Sequence, residues 1–148
     1  MIEIDTPGHT AIISEAYPEH IACALASPWS TFASGTCQTT SCCRISERIF
    51  FYKEPPAGQL RIASNATAAF TAELLAAVAK MFPSTLMSTG GDEVNTQCYV
   101  DDSETQAELA QSGFSFEEAL SAFTVTTHSA IQSLGKTPVV WEGMYDLR

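Results

Sequence analysis

Three short clusters carry side chains able to do acid–base or ring-stacking chemistry. The sharpest is Gly90-Gly91-Asp92-Glu93-Val94. Two adjacent carboxylates repel each other, so each needs its own environment, and different environments split their pKa values and separate their roles. The paired glycines let the backbone turn tightly and let a ligand approach. The second cluster, Asp5-Thr6-Pro7-Gly8-His9, sets a carboxylate and an imidazole four positions apart around a Pro-Gly turn. A histidine there titrates near neutrality and can orient or charge-balance the acid. The third, Trp141-Glu142, puts a flat apolar wall beside a polar group, which suits the apolar face of a sugar ring. Each cluster also has a plain alternative. Residues 90–94 can be a solvated turn, Asp5 can close an Asx-type turn with His9 hydrogen-bonded at a strand end, and Trp141 can be a core residue. His20 and His128 receive no functional role, His128 being expected on an exposed helix face. The carboxylates from Asp101 to Glu108 read as a solvated face.

The elements that must position these clusters are legible in outline. Met1–Asp5 alternates apolar and polar residues and predicts a short strand with Asp5 at its end, stopped by Thr6-Pro7-Gly8. From about Thr10 to Ala63 no clear periodicity emerges, and Pro18, Pro28, Pro55 and Pro56 interrupt the stretch. From Ser64 the pattern is helical: Phe70, Leu74, Val78 and Phe82 recur every fourth position, Ser64 or Asn65 can cap the start, and Pro83 ends it. Thr85–Thr89 reads as a buried strand. A short polar helix is expected from Ser103. A stronger one starts at the capping box Ser115-Phe116-Glu117-Glu118, with Leu120, Phe123, Thr127, Ile131 and Leu134 as its apolar face and Gly135 as its stop. Thr137–Trp141 is a third strand. Strands separated by helices read as parallel, and such sheets bind ligands at the carboxyl ends of their strands. All three clusters therefore fall on one rim.

Composition narrows the classes. The 148 residues hold 7 Lys+Arg against 17 Asp+Glu, a net charge of −10, and are 45% hydrophobic and 16% charged. A core is expected, and the acid excess argues against nucleic acid and against an anionic membrane surface. No apolar run reaches the ~18 residues of a spanning helix, and no signal peptide is recognised. The five cysteines (Cys23, Cys37, Cys42, Cys43, Cys98) show no C-x-x-C or Cys/His spacing, which argues against zinc. Asn65-Ala66-Thr67 is a glycosylation sequon.

Taken together, Ile4-Asp5-Thr6-Pro7-Gly8-His9-Thr10, Ser88-Thr89-Gly90-Gly91-Asp92-Glu93-Val94 and Val139-Val140-Trp141-Glu142 resemble glycoside hydrolase family 20, the β-N-acetylhexosaminidases. Glu15–Cys23 and Glu54–Leu60 look like the secreted fungal members. The resemblance implies an α/β fold that is part of a (β/α)8 TIM barrel, about strands three to five with their helices, not closed. Residues 1–148 would be a partial catalytic domain with an atypical insert at 34–53. It implies hydrolysis of terminal non-reducing N-acetyl-hexosamine residues by substrate-assisted retaining catalysis, on oligosaccharides or glycoconjugates, without metal or organic cofactor. Carried over, Glu93 is the general acid and then base, and Asp92 orients the acetamido group and stabilises positive charge. Asp5 and His9 are the supporting pair, Trp141 is a wall of the acetamido pocket, and Glu142 lies beside it.

The family's sugar-gripping arginine and its later pocket residues have no counterpart here, and a closed barrel takes about 250 residues. The expectation is a secreted parent enzyme and little or no activity from this chain alone. Residues 34–53 hold three of the five cysteines and three of the seven basic residues, and relatives run almost directly from Ala33 to Glu54. That segment reads as a translated intron or a gene-model error, and a mature transcript lacking its codons is the expected finding. With the segment set aside on that basis, Cys23 and Cys98 remain as a pair for a disulfide at the rim. Two other functions stay open. One is a non-catalytic sugar-binding or interaction fragment using the same rim. The other is a diguanylate cyclase, whose signature turn is similar to residues 90–94 but sits in a β-hairpin and binds a guanine nucleotide and metal.

Overall fold

The computed structural model describes residues 1–24, 58–91 and 94–141. In chain order these form β1 (Ile2–Glu3), β2 (Ile21–Ala22), β3 (Gln59–Leu60), α1 (Asn65–Met81), β4 (Leu86–Ser88), α2 (Thr96–Asp101), α3 (Ser103–Ser112), α4 (Phe116–Gln132) and β5 (Thr137–Val139), with single 3-10 turns at Ala11–Glu15 and Pro18–His20. The expected insert at 34–53 lies outside the described residues.

The sheet is parallel, in the order β1-β4-β5, with Ile2 opposite Met87 and Met87 opposite Pro138. The strands are shorter than the sequence suggests, yet their pairing continues beyond them. Ile4 N donates to Ser88 O at 3.0 Å, Thr6 N to Thr89 O at 2.9 Å, and Thr89 N to Val139 O at 2.9 Å. The three carboxyl ends are thus held in register as far as the clusters that follow them.

α4 forms as its sequence dictates. The Ser115–Glu118 capping box closes in both directions, and Gly135 takes a φ of 74° just beyond the helix. Leu120, Phe123, Thr127 and Ile131 are buried along one face, together with Ala119. Burying each large apolar side chain contributes about 1.5–3 kcal/mol. α1 starts and stops near the expected places, with Ser64 as its cap and Phe82, the residue before Pro83, already extended. Its buried face differs from expectation. Thr67, Ala68, Thr71, Leu75 and Ala79 turn inward, a stripe about 100° around the helix from the large residues. Phe70, Leu74 and Val78 are half-buried and Phe82 is exposed. Small residues let α1 approach closely, and the Thr71 hydroxyl is satisfied by Thr67 O at 2.8 Å. Phe70 instead stacks on His20 with ring centroids 4.5 Å apart.

Two elements escape the sequence pattern. The antiparallel ribbon β2–β3 pairs Ile21 with Leu60 and Ala22 with Gln59, inside the stretch that shows no periodicity. The helix α2, capped by Asn95 through Cys98 N at 3.2 Å, precedes the expected polar helix. Among the described residues, buried apolar side chains form two clusters. One gathers Ile21, Leu60, Ile62, Tyr99, Leu120 and Phe123. The other sits against the sheet and holds Leu75, Ala79, Met87 and Ile131. Cys23 and Cys98 are joined by a disulfide, Cα atoms 6.0 Å apart, which ties the end of the ribbon to α2.

Candidate functional site

The loop after β1 is fixed before it presents anything. Thr6 Oγ1 donates to Thr89 O at 3.0 Å. Thr10 Oγ1 donates to Pro7 O and Gly58 O, each at 3.1 Å, and Leu60 N donates to Pro7 O at 2.8 Å. Thr6, Pro7, Gly8 and Thr10 are buried while His9 projects outward, with a left-handed φ of 56°. That conformation costs a non-glycine residue energy and persists because the loop on both sides is held. The Thr6–Pro7 peptide bond is cis.

Asp5 does not close a local turn. Its Oδ1 accepts a hydrogen bond from Gly91 N at 3.0 Å, across the sheet. Its Oδ2 lies 3.8 Å from His9 Nε2, within ion-pair range but beyond a hydrogen bond. The glycine at 90 is dictated by this contact. It has a φ of 69°, and a Cβ built there would sit 1.9 Å from Asp5 Oδ1 and 2.8 Å from Asp5 Cα. On the other side Trp141 N donates to Gly90 O at 3.0 Å. Trp141 is 52% exposed, so it is not a core tryptophan but an aromatic surface on the rim. Asp5, His9, the glycine pair and Trp141 thus share one end of the sheet. Asp92, Glu93 and Glu142 lie outside the described residues. The chain on either side of 92–93 is anchored, by Gly91 N on Asp5 and by Asn95 N, which donates to Gln59 Oε1 at 3.4 Å.

A layer beneath the rim was not legible in the sequence. His128 is half-buried rather than exposed, because α4 lays this turn against the sheet, and its Nε2 lies 3.0 Å from Thr89 Oγ1. Burial lowers its pKa below the ordinary histidine value. Ser88, buried under Gly90, donates to Glu3 Oε2 at 2.5 Å and accepts from Gly90 N at 3.3 Å. His20 is structural, its Nδ1 3.0 Å from Thr67 Oγ1.

The acidic run at 101–108 is not simply a solvated face. Asp102 accepts two hydrogen bonds from Arg61, Nε to Oδ2 and Nη2 to Oδ1, both at 3.0 Å. It also caps α3 through Thr105 N at 2.9 Å. Burial alone would raise its pKa, but the hydrogen bonds from Arg61 and Thr105 prevail and hold the carboxyl below its ordinary range. Arg61 further reaches Glu104 at 2.8 Å and Glu19 O at 2.8 Å. The cluster joins the 3-10 turn at Pro18–His20 to α3. Only the cap was signalled in the sequence, by Asp102 three positions before Thr105, a helix-cap spacing.

The hairpin required of a cyclase turn is absent among the described residues. Both edges of β4 are occupied by parallel neighbours, and the chain after Val94 enters α2.

Comparison with known proteins agrees with this arrangement. Residues 1–147 match the family described as glycosyl hydrolase family 20, catalytic domain. Beta-hexosaminidase of Arthroderma benhamiae is 31% identical over 147 residues, covering 95% of this chain and 20% of that protein. Beta-hexosaminidase 1 of Arabidopsis thaliana is 28% identical over 142 residues, covering 96% and 21%. The chain thus spans about a fifth of the length of the curated relatives it matches. Among solved structures, Flavobacterium johnsoniae chitobiase superposes with a TM-score of 0.65 at 23% identity, over 97% of this chain and 19% of that one. A glycoside hydrolase family 20 β-N-acetylglucosaminidase gives 0.56 at 26% identity, over 97% and 25%. With parallel strands that bring an aspartate and a tryptophan to one end, and a family match over nearly its whole length, this chain belongs to the catalytic domain of glycosyl hydrolase family 20.

Proposed function

We propose that this chain supplies part of the catalytic face of a β-N-acetylhexosaminidase, which removes terminal non-reducing N-acetyl-hexosamine residues from oligosaccharides and glycoconjugates. The observation that carries the reading is the convergence of Asp5 and Trp141 on the Gly90-Gly91 turn at the carboxyl ends of three parallel strands, in a chain of this family. We read β1, β4 and β5 as the third to fifth strands of a (β/α)8 barrel, whose active site lies at that end.

In this mechanism the substrate provides its own nucleophile. The acetamido oxygen attacks C1 while Glu93 donates a proton to the departing glycosidic oxygen. The resulting oxazolinium ion is then opened by water, deprotonated by Glu93, with net retention. Asp92 accepts a hydrogen bond from the acetamido N–H and stabilises the charge that develops on the ring. Asp5, held on the amide of Gly91, places a negative charge near the turn, which favours the protonated form of a neighbouring carboxyl. His9 stands beside Asp5 as the other half of the supporting pair, Trp141 offers an apolar wall to the acetamido methyl, and Glu142 stands beside it. The disulfide between Cys23 and Cys98 supports secretion through an oxidising compartment.

The test is hydrolysis of an aryl N-acetyl-β-glucosaminide by the natural polypeptide that contains these residues. Glu93→Gln is expected to lower kcat about 10²–10⁴-fold while leaving sugar binding intact. A wild-type protein that binds the sugar without turning it over sinks the enzymatic reading and leaves a sugar-binding role for the same rim.

A further inference from the structure

We propose that Glu3 and Ser88 are positioning residues for the turn that carries the catalytic acids, Glu3 acting through Ser88 to hold the amide of Gly90. The inference rests on the hexosaminidase reading, in which residues 92 and 93 do the chemistry. Side chains alternate across a strand. Ile2 and Ile4 pack on the buried cluster of Leu75, Met87 and Ile131, so Glu3 and Asp5 share the opposite face of the sheet. Glu3 pairs in register with Ser88. The Ser88 hydroxyl donates to Glu3 Oε2 at 2.5 Å and accepts from Gly90 N at 3.3 Å. Asp5 Oδ1 accepts from Gly91 N at 3.0 Å. The two consecutive amides that lead into residues 92 and 93 are therefore both held by acids from the first strand and its end, one directly and one through a serine.

The parts of this tether are not interchangeable. An ionised carboxylate only accepts hydrogen bonds, whereas a hydroxyl donates one and accepts on its lone pairs. Glu3 draws the Ser88 hydrogen into a short, charge-assisted bond, which leaves a lone pair of the same oxygen for the N–H of Gly90. Without that acceptor the hydroxyl is free to rotate, and the Gly90 amide loses its fixed partner. A general acid must sit within hydrogen-bond reach of the leaving oxygen, and a misplacement of about 1 Å can cost about 10²-fold in rate. Neither Glu3 nor Ser88 touches the sugar in this account, so the loss falls on kcat.

The experiment compares Ser88→Ala, Glu3→Ala, Glu3→Gln and the Glu3→Ala/Ser88→Ala double variant of the natural polypeptide at equal concentrations of folded protein. Hydrolysis of an aryl N-acetyl-β-glucosaminide gives kcat and KM, and hydrogen exchange read by mass spectrometry gives the protection of residues 88–91. Ser88→Ala and Glu3→Ala are each expected to lower kcat about ten- to a hundredfold, with KM changing less than about threefold. The double variant is expected to be no slower than either single one, because one residue acts through the other. Glu3→Gln keeps an acceptor oxygen and is expected to recover most of the kcat lost in Glu3→Ala. Losses that multiply in the double variant, no recovery in Glu3→Gln, or a raised KM at wild-type kcat overturns the tether. Where Glu3→Ala does not fold, a slow Ser88→Ala beside a fast Glu3→Gln supports it, and equal rates for those two overturn it. Exchange at residues 88–91 is expected to quicken in Ser88→Ala, and unchanged exchange overturns the tether whether or not the protein turns over. A wild-type polypeptide without turnover sinks the hexosaminidase reading instead, and the exchange measurement then decides the tether by itself.

Discussion

Replacing Gly90 by alanine tests the geometry at the centre of the rim. The added Cβ would lie 1.9 Å from Asp5 Oδ1, 2.7 Å from its Cγ and 2.8 Å from its Cα. The carboxylate can swing away but the Cα cannot, so the two strand ends must separate. Two costs add. A left-handed backbone with a Cβ costs about 1–2 kcal/mol. Loss of the charged hydrogen bond between Asp5 Oδ1 and Gly91 N costs about 1.5–3 kcal/mol. Together they predict a destabilisation of roughly 2.5–5 kcal/mol, a large share of a stability of about 5–15 kcal/mol. Gly113→Ala is the control. Its φ of +73° matches that of Gly90 at +69°, but a Cβ there meets nothing within 4 Å, so only the conformational cost applies. Equilibrium urea unfolding reads both variants, with the midpoint shifting at an unchanged slope. The amide resonance of Gly91 should move in Gly90→Ala and stay in Gly113→Ala. Equal destabilisation by the two substitutions, within about 0.5 kcal/mol, would refute the contact between Gly90 and Asp5.

Two further outcomes follow from groups outside the rim. Asp102→Asn is expected to cost about 2 kcal/mol at pH 7 through the lost charged hydrogen bonds. Because the folded carboxyl titrates below its unfolded value of 3.8, the contribution is complete above that value and lost as pH falls through the folded one. Acid unfolding should show the wild-type and variant curves converging from about pH 4 downward, and a constant offset at all pH values would count against the assignment. Cys98→Ser opens a cross-link between residues 75 apart in sequence and is expected to lower stability by about 4.5 kcal/mol on the unfolded-chain entropy argument. An unchanged urea midpoint would show that Cys23 and Cys98 are not joined.

The legible parts of this chain were those where local chemistry and tertiary demand agree. Ser115 and Glu118 announce α4 because each satisfies a backbone donor of the helix start without help from the rest of the fold. The rim followed from the order of strands and helices, since parallel strands deliver their carboxyl ends to one side. The inward face of α1 was misjudged because size stood in for burial. Leu75 and Ala79 share their face with threonines whose hydroxyls are satisfied internally, while Phe70 was drawn aside to stack on His20. β2 and β3 have two residues each, too few for a period to show. Arg61 and Asp102 are 41 positions apart, and no local pattern announces a pair made by tertiary packing. His128 was read from its helix alone, whereas Thr89, just past the end of β4, decides its environment.

The carbonyl of Gly90 and the amide of Gly91 belong to the same planar unit, since the atoms of one peptide bond cannot rotate independently. The oxygen faces the backbone amide of Trp141, beyond the end of β5, and the nitrogen faces the aspartate. This plate therefore acts as a two-sided latch: a flip would release Trp141 and Asp5 at once, and neither can be loosened by such a rotation without the other. A shift of the backbone at Trp141 would be felt at the carboxylate across the sheet through a single rigid tile, with no need for a longer chain of contacts.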